Sequence, residues 1–270
     1  MFIDNSFFWL IMNKRFKYLR FISCEMSISN DITKMSRSKP LHFSLLDPDK
    51  QKPRIAGEIA SISEEAGSSA IMVGGSTLVS QKQVDETVKA IKQNSSLPVI
   101  LFPSGAKFLS KYADAVFFMS LLNSRNLDFV IREHVKGAFF VKKSGIEPIP
   151  MGYVIVEPGM TAGRVGEVDL IKKDDFENAV GYALASQFLG MDFFYLEAGS
   201  GSPAPVSNKM ISAVKESIDI PLIVGGGIRD ADTAYEKAKA GADIVVTGTK
   251  LEEEKNLKKA LIDIISSIRK

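Results

Sequence analysis

Phe193-Phe194-Tyr195-Leu196-Glu197-Ala198-Gly199-Ser200-Gly201 is the stretch whose pattern decides the fold. An apolar, aromatic run of strand length ends in one carboxylate and opens into a small Gly/Ser loop. The run does not alternate with polar residues, which marks a strand buried on both faces, as in a parallel sheet. Glycine has no Cβ, so the loop behind it lets backbone N–H groups approach an anion closely.

The same unit recurs in both directions from this stretch. Apolar runs at 41–46, 70–73, 98–102, 115–119 and 153–156 precede it, and runs at 221–224 and 244–246 follow. Each stops at a sharp loop: Asp47-Pro48-Asp49-Lys50, Gly74-Gly75-Ser76, Pro103-Ser104-Gly105, Ser120-Leu121-Leu122-Asn123-Ser124, Glu157-Pro158-Gly159, Gly225-Gly226-Gly227 and Thr247-Gly248-Thr249. Between them, apolar residues return at helical spacing, as at Ile55, Ile59 and Ile62, at Val84, Val88 and Ile91, and at Leu257, Leu261, Ile264 and Ile268. Helices are also expected over 129–135 and 176–189, whereas 102–114 leaves room for little more than a loop. Eight strand–helix units in about 230 residues predict a (β/α)8 TIM barrel with its site on the C-terminal side of the strands. An open doubly wound sheet would carry a glycine-rich turn after its first strand, and Asp-Pro-Asp stands there instead.

Composition narrows the chemistry. The chain has 270 residues, 45% hydrophobic and 24% charged, as in ordinary globular proteins. One cysteine, Cys24, excludes an internal disulfide framework and makes a reducing cytoplasm the expected location. His42 and His134 are the only histidines, so a metal would take oxygen ligands. Net charge is +2, but residues 1–40 hold seven basic and three acidic side chains, leaving the rest at −2. Nucleic acid is therefore not an expected partner. Residues 1–38 read as a basic extension, mobile or the product of an upstream start, ahead of a barrel over 39–270. The apolar run from Phe7 to Met12 is too short to span a bilayer, and the basic residues after it allow a transient membrane-surface contact.

In a barrel the strand-end loops converge. Three late glycine-rich loops, 199–201, 225–227 and 248–249, predict a phosphate site, because barrels commonly hold a phosphate near strands seven and eight. On the opposite side Asp47, with the Ser76 hydroxyl nearby, suits one Mg2+ that takes its remaining ligands from water and substrate phosphate. Asp before Pro is also a common turn starter, and Asp49 could cap the next helix. Glu197, one loop from the phosphate, is the candidate base or orienting carboxylate; a structural ion pair is the other reading of it.

Taken together and in this order, Leu45 to Lys50, Val73 to Ser76, Phe102 to Gly105, Ser120 to Ser124, Gly152-Tyr153 with Glu157 to Gly159, Tyr195 to Gly201, Gly225-Gly226-Gly227-Ile228-Arg229 and Thr247 to Thr249 resemble the geranylgeranylglyceryl phosphate synthases of archaea and their bacterial heptaprenylglyceryl phosphate relatives. The resemblance covers about residues 40–250. It implies a modified barrel whose third helix is replaced by a loop, matching the short 102–114 segment. It implies a Mg2+-dependent prenyltransferase, cytoplasmic and homo-oligomeric. That enzyme would join the geranylgeranyl group of geranylgeranyl diphosphate to the 3-hydroxyl of sn-glycerol 1-phosphate, releasing diphosphate, the first ether-bond step of archaeal membrane lipid synthesis. It assigns Mg2+ to Asp47 and Ser76, and the glycerol phosphate to Tyr195, Leu196, Glu197, Ala198, Gly199, Ser200, Gly201, Gly226, Gly227, Gly248 and Thr249, with Glu197 facing the acceptor hydroxyl. A prenyl tail needs an apolar groove, for which Phe102, Phe108, Phe117, Phe118, Met119, Tyr153 and Met160 are candidates. Met160 and Arg164 depart from the family pattern after Glu157-Pro158-Gly159. The alternatives are the same chemistry with a heptaprenyl donor, or a phosphosugar-converting barrel sharing only the late phosphate loops.

Overall fold

Eight near-continuous apolar strands cannot leave either face in water, and the chain closes them on themselves. In the computed structural model, which describes residues 27–75, 80–248 and 256–270, β1 (Leu41–Leu46), β2 (Ala70–Val73), β3 (Val99–Leu101), β4 (Ala115–Leu121), β5 (Glu147–Ile155), β6 (Phe193–Glu197), β7 (Leu222–Gly225) and β8 (Ile244–Thr247) pair in parallel and in order, with β8 back on β1. The TIM barrel expected from the sequence is therefore present. Inward side chains fill the interior, among them Phe43, Met72, Ile100, Phe117, Met151 and Phe193. Outward ones pack under α2 (Pro53–Ala66), α3 (Gln81–Asn94), α4 (Glu133–Ser144), α6 (Phe176–Phe188), α7 (Asn208–Lys215), α8 (Ala231–Lys239) and α9 (Leu257–Ser267). After β3 only a single 3-10 turn, Ala106–Phe108, stands where a helix would lie, as the short 102–114 segment predicts.

The expected boundary at residue 38 moves. Helix α1 (Ile28–Ser36) belongs to the barrel and closes its N-terminal end, with Ile32 buried in the interior layer. Its free N-terminal donors find carboxylates at the strand bases. Ile28 N and Ser29 N donate to the Glu147 carboxylate at 2.7 and 3.0 Å, and Ser29 Oγ donates to Asp192 at 2.7 Å. The partners lie more than 100 residues away, so no local signal announces them. Residues 1–26, with Cys24 and the basic run, lie outside the described residues.

Strand β5 starts at Glu147, six residues before the expected start, because Pro148 and Pro150 disguise it. Proline cannot donate to a ladder. Here the Pro150 carbonyl accepts from Asp192 N at 2.9 Å, and the proline nitrogens face that same side, ahead of Phe193 where β6 begins. No ladder bond is lost.

The β1–β8 closure hides a polar chain. His42 Nδ1 and Nε2 lie 2.9 Å from Ser68 Oγ and from Thr247 Oγ1, and Ser68 Oγ lies 3.1 Å from Ser44 Oγ. His42 is fully buried, and burial, helped by the nearby Arg269 charge, pushes its pKa down to about 3. A depressed folded pKa means the unfolded chain binds the proton more readily, so this contribution is full above pH 6.5 and is lost as pH falls towards 3. The loss amounts to roughly 5 kcal/mol at 1.4 kcal/mol per unit. In urea titrations from pH 7 to pH 4, His42→Gln is expected to flatten the acid loss of stability; an unchanged slope would remove His42 as its source.

Candidate active site

The strand ends bring the distant loops to one mouth. At the end of β1, Asp47 Oδ1 accepts the Asp49 N–H at 3.0 Å and the Asp47 carbonyl accepts the Lys50 N–H at 3.0 Å, a turn that fixes the carboxylate. Burial raises its pKa, opposed by the Asp49 N–H and the Lys50 charge. Its neighbour explains the Gly-Gly after β2. A Cβ on Gly75 would stand 2.2 Å from Asp47 Oδ2, and one on Gly74 would stand 1.8 Å from the Phe102 carbonyl. Only glycine lets β2 run close enough to hold the carboxylate against backbone. Ser76 and Thr249 lie outside the described residues.

Across the mouth, Glu197 ends β6 and is buried. The Gly199 N–H donates to its Oε1 at 2.6 Å. The Tyr195 hydroxyl lies beside the carboxylate, off the line of a hydrogen bond yet close enough to favour its charged form. Desolvation is the larger effect and raises the Glu197 pKa, while burial and the Glu197 charge push Tyr195 and Tyr153 well above the usual phenol range. Among the described residues Glu197 pairs with no cation, which leaves its ion-pair reading without support there; beside it stand this N–H and the Tyr195 hydroxyl. Beneath it Phe102, Tyr153 and Tyr195 form an aromatic floor, with ring centroids 5.2–5.7 Å apart.

The glycine triplet after β7 has two duties. A Cβ on Gly225 would meet the Tyr195 hydroxyl at 2.2 Å, and one on Gly226 would meet Glu197 Oε1 at 2.3 Å, so these glycines make room for the Tyr195–Glu197 pair. The N–H groups of Gly226, Gly227 and Gly248 carry no hydrogen bond among the described residues, leaving donors for an anion. Arg229 fastens the neighbouring loop, its Nη2 donating to the Gly201 carbonyl at 2.8 Å and to that of Ser202 at 3.3 Å. Glu197, Ser200 and Gly248 line the cavity with Asp47. Leu196 and Ala198 point away into the layer beneath the helices, and Tyr195 is buried within the floor, so these three reach a ligand only through backbone or through Glu197.

A lid follows β5. Its short helix α5 (Met160–Val165) starts at Gly159 and Met160, which press on Gly199: a Cβ there would stand 2.7 Å from the Gly159 carbonyl and 2.8 Å from Met160 Cβ. The Ser120–Ser124 motif pins this lid. Asn123 Nδ2 donates to the carbonyls of Ile155 and Asp169 at 2.8 and 2.9 Å, and Ser124 Oγ donates to the Gly166 carbonyl at 2.6 Å. Sequence reasoning quoted the motif without finding this role, because the partners come from the next loop.

From the mouth an apolar groove runs outward across β4 where the third helix is missing. Phe102, Phe117, Phe118, Met119 and Tyr153 line it as expected. Phe108 instead packs in the core, and Met160 is half exposed on the lid. Phe129, Glu133, His134 and Gly137 complete the far wall from α4 and the π-helical turn Asp128–Arg132 before it.

The PcrB family model matches residues 30–267. The geranylgeranylglyceryl phosphate synthase of Thermococcus kodakarensis is 57% identical over 227 residues, covering 84% of this chain and 90% of that protein. The one from Picrophilus torridus is 50% identical over 243 residues, covering 90% of this chain and all of that protein. The crystal structure of (S)-3-O-geranylgeranylglyceryl phosphate synthase from Thermoplasma acidophilum in complex with sn-glycerol-1-phosphate superposes with a TM-score of 0.88 at 45% identity, over 90% of this chain and 99% of that one. A thiamine phosphate pyrophosphorylase from Pyrococcus furiosus, at 16% identity and a TM-score of 0.58, shares the fold alone. The chain belongs to the PcrB family, that of the geranylgeranylglyceryl phosphate synthases.

Proposed function

We propose that the protein transfers the geranylgeranyl group of geranylgeranyl diphosphate to the 3-hydroxyl of sn-glycerol 1-phosphate, giving 3-O-geranylgeranyl-sn-glyceryl 1-phosphate and diphosphate. The observation that carries this reading is one cavity joining Asp47, Glu197 and the glycine loops to a long apolar groove. A phosphosugar-converting enzyme has no use for such a groove. The glycine loops, with the Gly226, Gly227 and Gly248 donors, would hold the acceptor phosphate, and Glu197 would orient the acceptor hydroxyl. In the transfer, the bond between the allylic carbon and the diphosphate oxygen breaks. The hydroxyl oxygen bonds to that carbon, and its proton passes to the Glu197 carboxylate, whose raised pKa suits a general base. The aromatic floor and lid keep water from the electrophilic carbon.

Among the described residues no cluster of three or more His, Cys, Asp or Glu side chains forms a metal site. A single hard oxygen donor, Asp47 cradled by Gly75, nevertheless fits Mg2+, which keeps waters and takes phosphate oxygens as ligands. Asp47 and Ser76 would hold it, and when bound it neutralises the charge developing on the departing diphosphate. No helix among the described residues is long and apolar enough to cross a membrane, which accords with a cytoplasmic enzyme acting on an amphipathic donor.

The test is incubation with Mg2+, sn-glycerol 1-phosphate and either geranylgeranyl or heptaprenyl diphosphate, with extraction of the lipid product. Product with the first donor and preference over sn-glycerol 3-phosphate are expected. No product from either donor would overturn the reading.

A further inference from the structure

The barrel lacks a helix after β3, and something else must close the layer outside β3 and β4. That task falls to the segment around the 3-10 turn, which is fastened at two points. Ala106 N donates to Glu133 Oε2 at 2.7 Å, at the first turn of α4, and Gln81 Nε2 donates to the Leu109 carbonyl at 3.2 Å, at the start of α3. The carboxylate is steadied from its other side, where Lys136 Nζ donates to Oε1 at 2.5 Å. A backbone N–H to an ionised carboxylate is a stronger hydrogen bond than a neutral one. The contact continues one turn along α4: a Cβ on Gly137 would stand 3.1 Å from Leu109 Cδ1 and 3.5 Å from Ala106 Cβ. Of this closure Ala106, Leu109, Glu133 and Gly137 line the apolar groove, beside the outward side chains Val116 and Phe118 of β4. The closure is thus a wall, held by these two hydrogen bonds and by the packing of Phe108 and Leu109 rather than by a helix.

We infer that Glu133 acts as a latch that sets the distal wall of the groove, with Leu109 as the wall itself, and that together they fix the length of prenyl chain the enzyme accepts. The inference rests on the prenyl-transfer reading and deepens it. Glu133 is a positioning residue: it acts through the 105–109 segment and touches neither reacting centre. With the latch broken, the 3-10 turn loosens on its α4 side, and the groove opens beyond Leu109.

The experiment sets farnesyl, geranylgeranyl and heptaprenyl diphosphates against one another on the full chain, with sn-glycerol 1-phosphate and Mg2+, and reads the ratio of kcat/KM values. In Glu133→Ala and in Leu109→Ala the heptaprenyl-to-geranylgeranyl ratio is expected to rise about tenfold, the scale of a few methylenes gained in an apolar pocket. Gly137→Ala fills the space against Leu109 and Ala106 while favouring the helix, so it should move the ratio towards farnesyl. Opposite shifts from variants in one wall cannot come from general loss of stability. A wild type active on geranylgeranyl diphosphate whose ratios do not move in Glu133→Ala and Leu109→Ala would overturn the latch alone. A wild type inactive on all three donors would overturn the prenyl-transfer reading and the latch with it.

Discussion

Asp47→Asn is expected to lower kcat/KM for prenyl transfer by about three orders of magnitude, the several kcal/mol that charge neutralisation on a leaving phosphate group supplies. Asparagine keeps the shape and still accepts the Asp49 N–H that fixes this turn, so the fold should survive. It also fits the same space against Gly75, where no larger group could stand. What it loses is the negative charge that would hold Mg2+. Acceptor binding separates the two halves of the site. Calorimetric titration with sn-glycerol 1-phosphate should give a Kd close to wild type, because the donors proposed for its phosphate are backbone N–H groups of the glycine loops, which the substitution leaves in place. Initial rates over a Mg2+ series complete the measurement. An asparagine variant with the wild-type rate would remove Asp47 from the metal role, whatever its place in the cavity.

The fold was legible because its signal repeats. Eight apolar runs, each stopped by a loop, carry period and burial within a few residues of chain, and the missing helix shows as a spacing too short to hold one. What stayed hidden depends on partners distant in sequence. Helix α1 offers a single deeply buried aliphatic, Ile32, and its N-terminus is satisfied by Glu147 and Asp192. The two prolines of β5 argue locally against a strand and are harmless only because β6 starts late. The site was legible in the same uneven way. Asp47, Glu197 and the glycine loops announce themselves as polar residues at strand ends. Gly75 and Gly226 read as turn formers, and their close approaches to Asp47 and Glu197 exist only across neighbouring strands. Leu196 and Ala198 belong to the same motif, but their side chains pack in the layer beneath the helices, since side chains alternate along β6. Glu133 could not be found at all, since one half of its contact is a backbone N–H in a loop.

Gly226→Ala tests whether the glycine loops are a cradle rather than a set of turns. Gly226 has φ +83°, a left-handed conformation that costs a non-glycine residue about 1 kcal/mol or more. That strain alone is a modest stability effect. The larger effect comes from where the methyl group would go: 2.3 Å from Glu197 Oε1, 2.7 Å from Gly199 N and 2.9 Å from Ala198 N. Two of these atoms are backbone, so relief requires the β6 and β7 ends to part, moving the carboxylate and the N–H donors together. The KM for sn-glycerol 1-phosphate is expected to rise about a hundredfold, the loss of roughly two charge-assisted hydrogen bonds, while the KM for the prenyl donor stays within a few fold. Gly190→Ala is the control, since Gly190 has φ +77° with nothing within 4 Å of an added Cβ, and lies after α6 far from the mouth. It should cost a similar strain in thermal unfolding and leave both KM values unchanged. If the two variants affect the acceptor KM alike, the glycine triplet is a set of turns. If only Gly226→Ala does, its backbone is shaped around Glu197 and the phosphate, and the strand-end carboxylate and the anion loop act as a single unit.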